Sequence, residues 1–139
     1  MGHRVDPEQF FEEFVKAINA LEDAVILVEG PRDKRALEAL GIKQPIIWTR
    51  GARLQALIEA LSEYVEEVVI LFDLDEEGER LAREARELCE LYGLKRNLEF
   101  RRLLLGLGII HVEDLMSLRA SLSRLDTARR SRRRALSRR

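Results

Sequence analysis

The apolar positions of this chain switch between helical spacing and short unbroken runs, and the switch repeats three times. Phe10, Phe11, Phe14, Val15, Ile18 and Leu21 follow Asp6-Pro7 at helical spacing. That predicts a helix with Asp6 as N-cap and Pro7 at its first position. Ala24 to Val28 is then an unbroken apolar run rich in β-branched residues, the pattern of a strand buried on both faces. A second helix starts at Pro31, carries Ala36, Leu37 and Leu40, and ends at Gly41. Pro45 to Thr49 predicts the second strand, and Leu54, Leu57, Ile58 and Leu61 predict a helix running to about Glu63. Val68 to Phe72 is the third apolar run. Its helix is expected from Glu79 onward, with Leu81, Ala82, Ala85, Leu88, Cys89 and Tyr92 at helical spacing and Gly93 as the stop. Three strand–helix repeats predict right-handed crossovers and an α/β, Rossmann-like fold. The sheet is mostly parallel, of about four strands, with helices on both faces.

Past Gly93 the pattern supports two readings. Asn97 caps a short helix through Leu103 to Leu105, or Leu98 to Phe100 forms a fourth strand. Ile109 to Val112 predicts a further short strand and Glu113 to Leu125 a helix. From Thr127 the chain is rich in Arg and Ser with almost nothing to bury, which predicts disorder or a frayed helix. The expected organisation is an N-terminal helix over 1–23, a core over 24–115, and a helical then Arg-rich tail over 116–139.

Composition narrows the class. At 139 residues, 46% hydrophobic and 35% charged, the chain is long enough for one globular domain with a substantial core. No apolar stretch approaches membrane-spanning length and no signal-peptide pattern opens the chain, so no membrane association is expected. Cys89 is the only cysteine, which excludes an intramolecular disulfide and suits a cytoplasmic protein. Scarce Asn, Gln, Met and Cys beside abundant Glu and Arg suit a thermophilic source. The net charge of −1 conceals an asymmetry, because residues 129–139 hold seven arginines and no acid. Taking those from the 24 basic residues leaves 17 against 25 acids, so the first 128 residues carry a net of −8.

The chemistry gathers where the apolar runs end. Asp73 and Asp75 follow the third strand, and in extended chain residues i and i+2 point to one side. Carboxylates gathered there repel one another unless a cation lies between them, and such hard oxygen ligands suit Mg²⁺, with Mn²⁺ as the alternative. Acids near a helix N-terminus are also stabilised by the macrodipole. That accounts for Glu76, Glu77 and Glu79 but not for Asp73 at the end of a buried strand. Glu29 follows the first apolar run directly, so partial burial is expected to raise its pKa toward proton-transfer range.

The three strand ends, in order, are Glu29-Gly30-Pro31-Arg32-Asp33, Thr49-Arg50-Gly51 and Asp73-Leu74-Asp75-Glu76-Glu77-Gly78-Glu79. Together they resemble the Toprim domain shared by bacterial primases, type IA and type II topoisomerases, OLD-family nucleases and ribonucleases that mature 5S rRNA. The resemblance covers roughly Ala24 to Gly93. It implies that Asp73, Asp75 and Glu77 bind Mg²⁺, with Glu29 as general acid/base or a further ligand. There is no room for the large domains that carry a topoisomerase's tyrosine or a primase's accessory parts. The chain resembles a small stand-alone Toprim protein.

The remaining candidates surround these ends. Asp33 is read as a second catalytic acid or as an ordinary residue of a helix's first turn. Gly30, Gly51 and Gly78 are read as turn glycines that also admit a phosphate. Arg50, Arg32 and Lys34 are candidate substrate-phosphate ligands, with Arg53 nearby. Trp48, the phenylalanines and Cys89 are expected in the core, and no role is assigned to His3 or His111. Arg129, Arg130, Arg132, Arg133 and Arg134 are expected either to be simply solvated or to contact a nucleic-acid backbone. Three functions stay open: a Mg²⁺-dependent nuclease on RNA or DNA, a non-catalytic nucleic-acid-binding or ribonucleoprotein adaptor, and a phosphohydrolase using Asp73 as nucleophile.

Overall fold

The structure is a computed structural model, and it describes residues 6–137. Four strands, β1 (Ala24–Val28), β2 (Ile46–Trp48), β3 (Glu67–Ile70) and β4 (Lys95–Asn97), form one sheet in the order β2-β1-β3-β4. All three pairings are parallel, as the strand–helix repeats predict. β1 lies between two neighbours and every one of its residues is buried, which is why it carries no polar side chain.

Alternate residues feed two cores. Ile26, Val28, Val69 and Leu71 share a cluster with Phe11, Phe14, Ile18, Leu37, Leu40, Phe100, Leu104 and Leu115. These come from α1 (Pro7–Asn19), α2 (Pro31–Leu40), α5 (Glu99–Gly106) and α6 (Leu115–Ser137). Val25, Leu27, Val68, Ile70 and Phe72 pack on the other face with residues of α3 (Leu54–Leu61) and α4 (Glu76–Tyr92). The Phe14 and Phe100 rings meet edge to face at 5.5 Å, tying α1 to α5. Asp6 caps α1 by accepting from the Glu8 amide at 3.0 Å.

Several expectations are corrected. β3 ends at Ile70 rather than Phe72, although the Leu71 amide still donates to the Leu27 carbonyl at 2.9 Å and both Leu71 and Phe72 are fully buried. The fourth strand lies at Lys95–Asn97, ahead of Leu98. A short helix, α5, then follows as the first of the two readings has it, but its N-cap is Leu98; Asn97, one residue earlier, accepts from the Glu99 amide at 3.0 Å. No strand forms over residues 109–112; a single 3-10 turn occupies Val112–Asp114. Ile109 and Val112 are buried while Ile110 and His111 are exposed, a spacing of three that suits a turn and not a strand. Trp48 is 41% exposed rather than in the core, because it ends an edge strand; Lys34 Nζ sits 5.4 Å from its ring centroid.

Of the two expectations for the C-terminal segment, disorder or a frayed helix, the structure has helix. α6 continues as helix through the Arg-rich stretch to Ser137. Leu115, Met116, Leu118 and Leu122 anchor it on the core, and no Gly or Pro interrupts the run of Arg, Ala, Leu and Ser beyond. Among the described residues no helix is long and apolar enough to cross a membrane.

Candidate metal centre

The strand order creates the site. α2 leaves β1 toward β2 on one side, while α4 leaves β3 toward β4 on the other. The carboxyl ends of β1 and β3 therefore open a crevice at a topological switch point. Glu29 follows β1 into that crevice, and Asp73 and Asp75 reach it from the β3–α4 loop.

Asp73 and Asp75 are each anchored through one oxygen. Asp73 Oδ1 accepts from the Val112 amide at 2.8 Å. Asp75 is the N-cap of α4 and its Oδ1 accepts from the Gly78 amide at 2.7 Å. Capping therefore holds for Asp75 without using its second oxygen. Both Oδ2 atoms turn toward His111, whose Nδ1 lies 3.5 Å from that of Asp73 and 4.0 Å from that of Asp75. One ligand atom from each of the three side chains falls within 4.8 Å of the others. Burial lowers the His111 pKa, but the interaction with Asp73 and the charges of Asp73, Asp75 and Asp114 outweigh it and leave it raised.

Glu29 is partly buried. Burial first, then the charges of Asp73 and Asp75, the hydrogen-bond contact with Asp73 and the charge of Asp33 push its pKa up to about 7. Its Oε1 is buried with no hydrogen-bond partner among the described residues. An unsatisfied carboxylate oxygen beside further carboxylates is costly. That donor set fits a hard divalent cation.

Asp33 is buried and its carboxylate accepts from the Gly30 amide at 3.0 Å, holding the start of α2 to the end of β1. Burial raises its pKa, the Gly30 hydrogen bond opposes that, and the charges of Asp73 and Glu113 add to it. A cleft of about 410 Å³ is lined by Gly30, Arg32, Asp33, Arg50, Asp73 and Glu113. Two of the predicted phosphate ligands thus share a cleft with an acidic site residue. Lys34 instead lies over Trp48.

The glycines serve different ends. Gly51 has φ +83 and is a true turn glycine. Gly30 is extended, and a Cβ there would meet the Arg50 guanidinium at 3.0 Å. Gly78 is no turn residue: α4 begins at Glu76, three residues earlier than expected, and places Gly78 in its first turn. A Cβ at Gly78 would stand 1.7 Å from the Asp73 carbonyl oxygen.

Glu77 does not join the cluster. Its carboxylate is exposed and pairs with Arg80 of the next turn at 2.5 Å, and that hydrogen bond lowers its pKa. Two residues without sequence signal take part instead. Arg101, only 8% exposed, donates to the Phe72 and Asp73 carbonyls at 3.0 and 2.8 Å and pairs with Glu79 at 2.7 Å. It braces the acidic loop from beneath. His111 is the other; neither it nor Arg101 lies at a motif spacing that would have marked it. Arg129, Arg130, Arg132, Arg133 and Arg134 are exposed on α6.

An α/β sheet with carboxylates from two adjacent strand ends, at a switch point and beside arginines, defines a class of domain with an acidic crevice at the strand ends. Residues 24–103 match the Toprim domain family, and the chain belongs to that family. It is similar to a UPF0292 protein of Pyrococcus horikoshii, 40% identical over 111 residues that make up 78% of this chain and 83% of the relative. A UPF0292 protein of Methanocaldococcus jannaschii is 30% identical over 118 residues, 79% and 92% of the two chains. Both relatives come from thermophilic archaea, in keeping with the composition. A solved structure described as a putative protein from Aquifex aeolicus is similar with a TM-score of 0.67 and 36% identity, over 77% of this chain and 95% of that one.

Proposed function

We propose that this protein is a divalent-metal-dependent nuclease that cleaves phosphodiesters of RNA or DNA. The observation that carries it is the convergence of Glu29 from β1 with Asp73 and Asp75 from the β3–α4 loop, with Glu29 Oε1 buried and unpartnered among the described residues. Asp73 and Asp75 would hold Mg²⁺ or Mn²⁺, which when bound polarises a phosphate and stabilises charge on the leaving oxygen. Glu29, partly buried beside those carboxylates and with a pKa of about 7 in the metal-free protein, is the residue placed to take up or release a proton. Arg50 and Arg32, in the cleft that Asp73 also lines, bind backbone phosphate oxygens through charge-assisted hydrogen bonds. Asp33 positions Gly30 and the α2 N-terminus at that cleft.

The test is metal-dependent cleavage of structured RNA and of single- and double-stranded DNA. Asp75→Asn is the discriminating variant, because asparagine keeps the cap on α4 while removing the charge. Glu29→Gln is expected to lose roughly a hundredfold or more in rate, and Asp75→Asn to lose metal-dependent cleavage altogether. Cleavage unchanged in both variants would sink the mechanism.

One observation favours a second reading, the non-catalytic nucleic-acid-binding adaptor. α6 carries its arginines exposed, beyond the residues that anchor it to the core. On that reading, removing residues 128–139 abolishes salt-dependent nucleic-acid binding, and Asp73→Asn leaves it unchanged.

A further inference from the structure

We infer that His111 is a direct ligand of the metal and makes this centre select a first-row transition ion such as Mn²⁺ over Mg²⁺. The inference rests on the reading of Asp73 and Asp75 as cation ligands and adds a nitrogen donor to them. His111 lies outside residues 24–103, the part matched to the family, in the segment that follows α5.

The spacing fits an ion. The gap from Nδ1 to Asp73 Oδ2 is 3.5 Å and to Asp75 Oδ2 4.0 Å, both long for a hydrogen bond. An ion about 2.1 Å from each ligand holds those ligands roughly 3 to 4.2 Å apart. The two carboxylates have committed Oδ1 to backbone amides and keep Oδ2 for the position that His111 also borders.

The imidazole is delivered by a built segment, not by a side chain that happens to fall nearby. Immediately before His111, the Ile110 carbonyl accepts from the Leu74 amide at 2.7 Å. Immediately after it, the Val112 amide donates to Asp73 at 2.8 Å. The chain on both sides of the histidine is thus hydrogen-bonded to the acidic loop. Ile109, Val112 and Leu115, at most 6% exposed, sink this segment into the core. The unpartnered Glu29 Oε1 is the independent sign that this crevice takes a cation.

Ligand chemistry sets the selectivity. Mg²⁺ prefers an all-oxygen octahedron and gives up its waters reluctantly. Imidazole suits transition ions, and affinity of a mixed nitrogen–oxygen site rises along the first row from Mn²⁺. A site of two carboxylates and one imidazole therefore favours Mn²⁺ over Mg²⁺, where the carboxylates alone discriminate little.

The experiment loads the intact protein with Mn²⁺ and records electron spin echo modulation, beside calorimetric titrations with Mn²⁺ and with Mg²⁺. The parent is expected to show ¹⁴N modulation from a bound imidazole, and His111→Ala to lose it while still binding Mn²⁺ through the carboxylates. The same substitution is expected to weaken Mn²⁺ binding by about tenfold or more and Mg²⁺ binding far less. His111→Gln serves as a second variant, and circular dichroism confirms the fold; the side chain is 47% exposed, so its loss opens no core cavity. Mn²⁺ bound without nitrogen modulation, or an unchanged Mn²⁺ to Mg²⁺ affinity ratio in His111→Ala, overturns the inference and leaves the carboxylate centre standing. Mn²⁺ binding that is absent from the parent, or unaltered by Asp73→Asn with Asp75→Asn, overturns the carboxylate reading and the inference with it.

Discussion

Replacing Gly78 with alanine sets two ordinary effects against each other. Inside a helix, alanine is favoured over glycine by about 1 kcal/mol. At this position, however, the new Cβ would stand 1.7 Å from the Asp73 carbonyl oxygen, 2.5 Å from its carbon and 3.1 Å from its Cα. All three atoms are backbone, so no flexible side chain can swing aside. Ordinary contact begins at 3.4 Å, so the loop or the first turn of α4 must move by well over an ångström. The loop is pinned where it would move: the same carbonyl accepts from Arg101 at 2.8 Å, and the Asp73 carboxylate accepts from Val112 at 2.8 Å. Overpacking costs about 1–3 kcal/mol, and a buried hydrogen bond left unmade adds about 1–3 kcal/mol. Less the helix-propensity gain, Gly78→Ala is expected to lose roughly 1–5 kcal/mol of stability. Denaturant unfolding reads this directly, with Gly106→Ala as control: an added Cβ there meets nothing within 4 Å. The control is expected to fall within about 1 kcal/mol of the parent, on the stabilising side. Because Asp73 itself is displaced, Gly78→Ala is also expected to weaken metal binding by calorimetry. A Gly78→Ala protein as stable as the parent, with metal binding unchanged, would refute the reasoning.

Arg101→Met leaves the Phe72 and Asp73 carbonyls and Glu79 without their shared donor. A loss of about 2–4 kcal/mol is expected in denaturant unfolding. Arg101→Lys should recover little, since one ammonium cannot reproduce the guanidinium fork; full recovery would mean that the charge alone matters. The metal-free protein should also lose stability as pH rises from about 4.5 to about 7. Glu29 keeps a proton in the folded state, with a pKa of about 7 against an ordinary 4.5, that the unfolded chain has already released. Asp33 is shifted in the same direction. A divalent ion offsets the ionised carboxylates, so thermal melts with and without Mn²⁺ should show a larger rise in Tm at pH 8 than at pH 5. An equal rise at both would count against a metal beside Glu29.

Much of the fold and half of the site are legible in the residue pattern, for a local reason. A strand buried on both faces must be an unbroken apolar run, so Glu29 and Asp73, the first acids after two such runs, stand out at once. Glycine at the ends of α2 and α4, with φ of +105 and +71, marks the helix stops just as plainly. The same local logic misplaced Trp48, which has the composition of a core residue but sits at the end of an edge strand. It also made Gly78 a turn residue, when the helix had already begun. What only the tertiary structure decided is which side chains meet across the crevice. Arg101 reaches Asp73 across 28 positions and Val112 does so across 39, and no spacing rule spans such distances. The same packing turns Glu77 outward to Arg80 and brings in His111. Periodicity along a chain records which face of an element is buried. The partners of a polar group at a strand end depend on how later segments cross the sheet, and that is settled by packing far from the residues themselves.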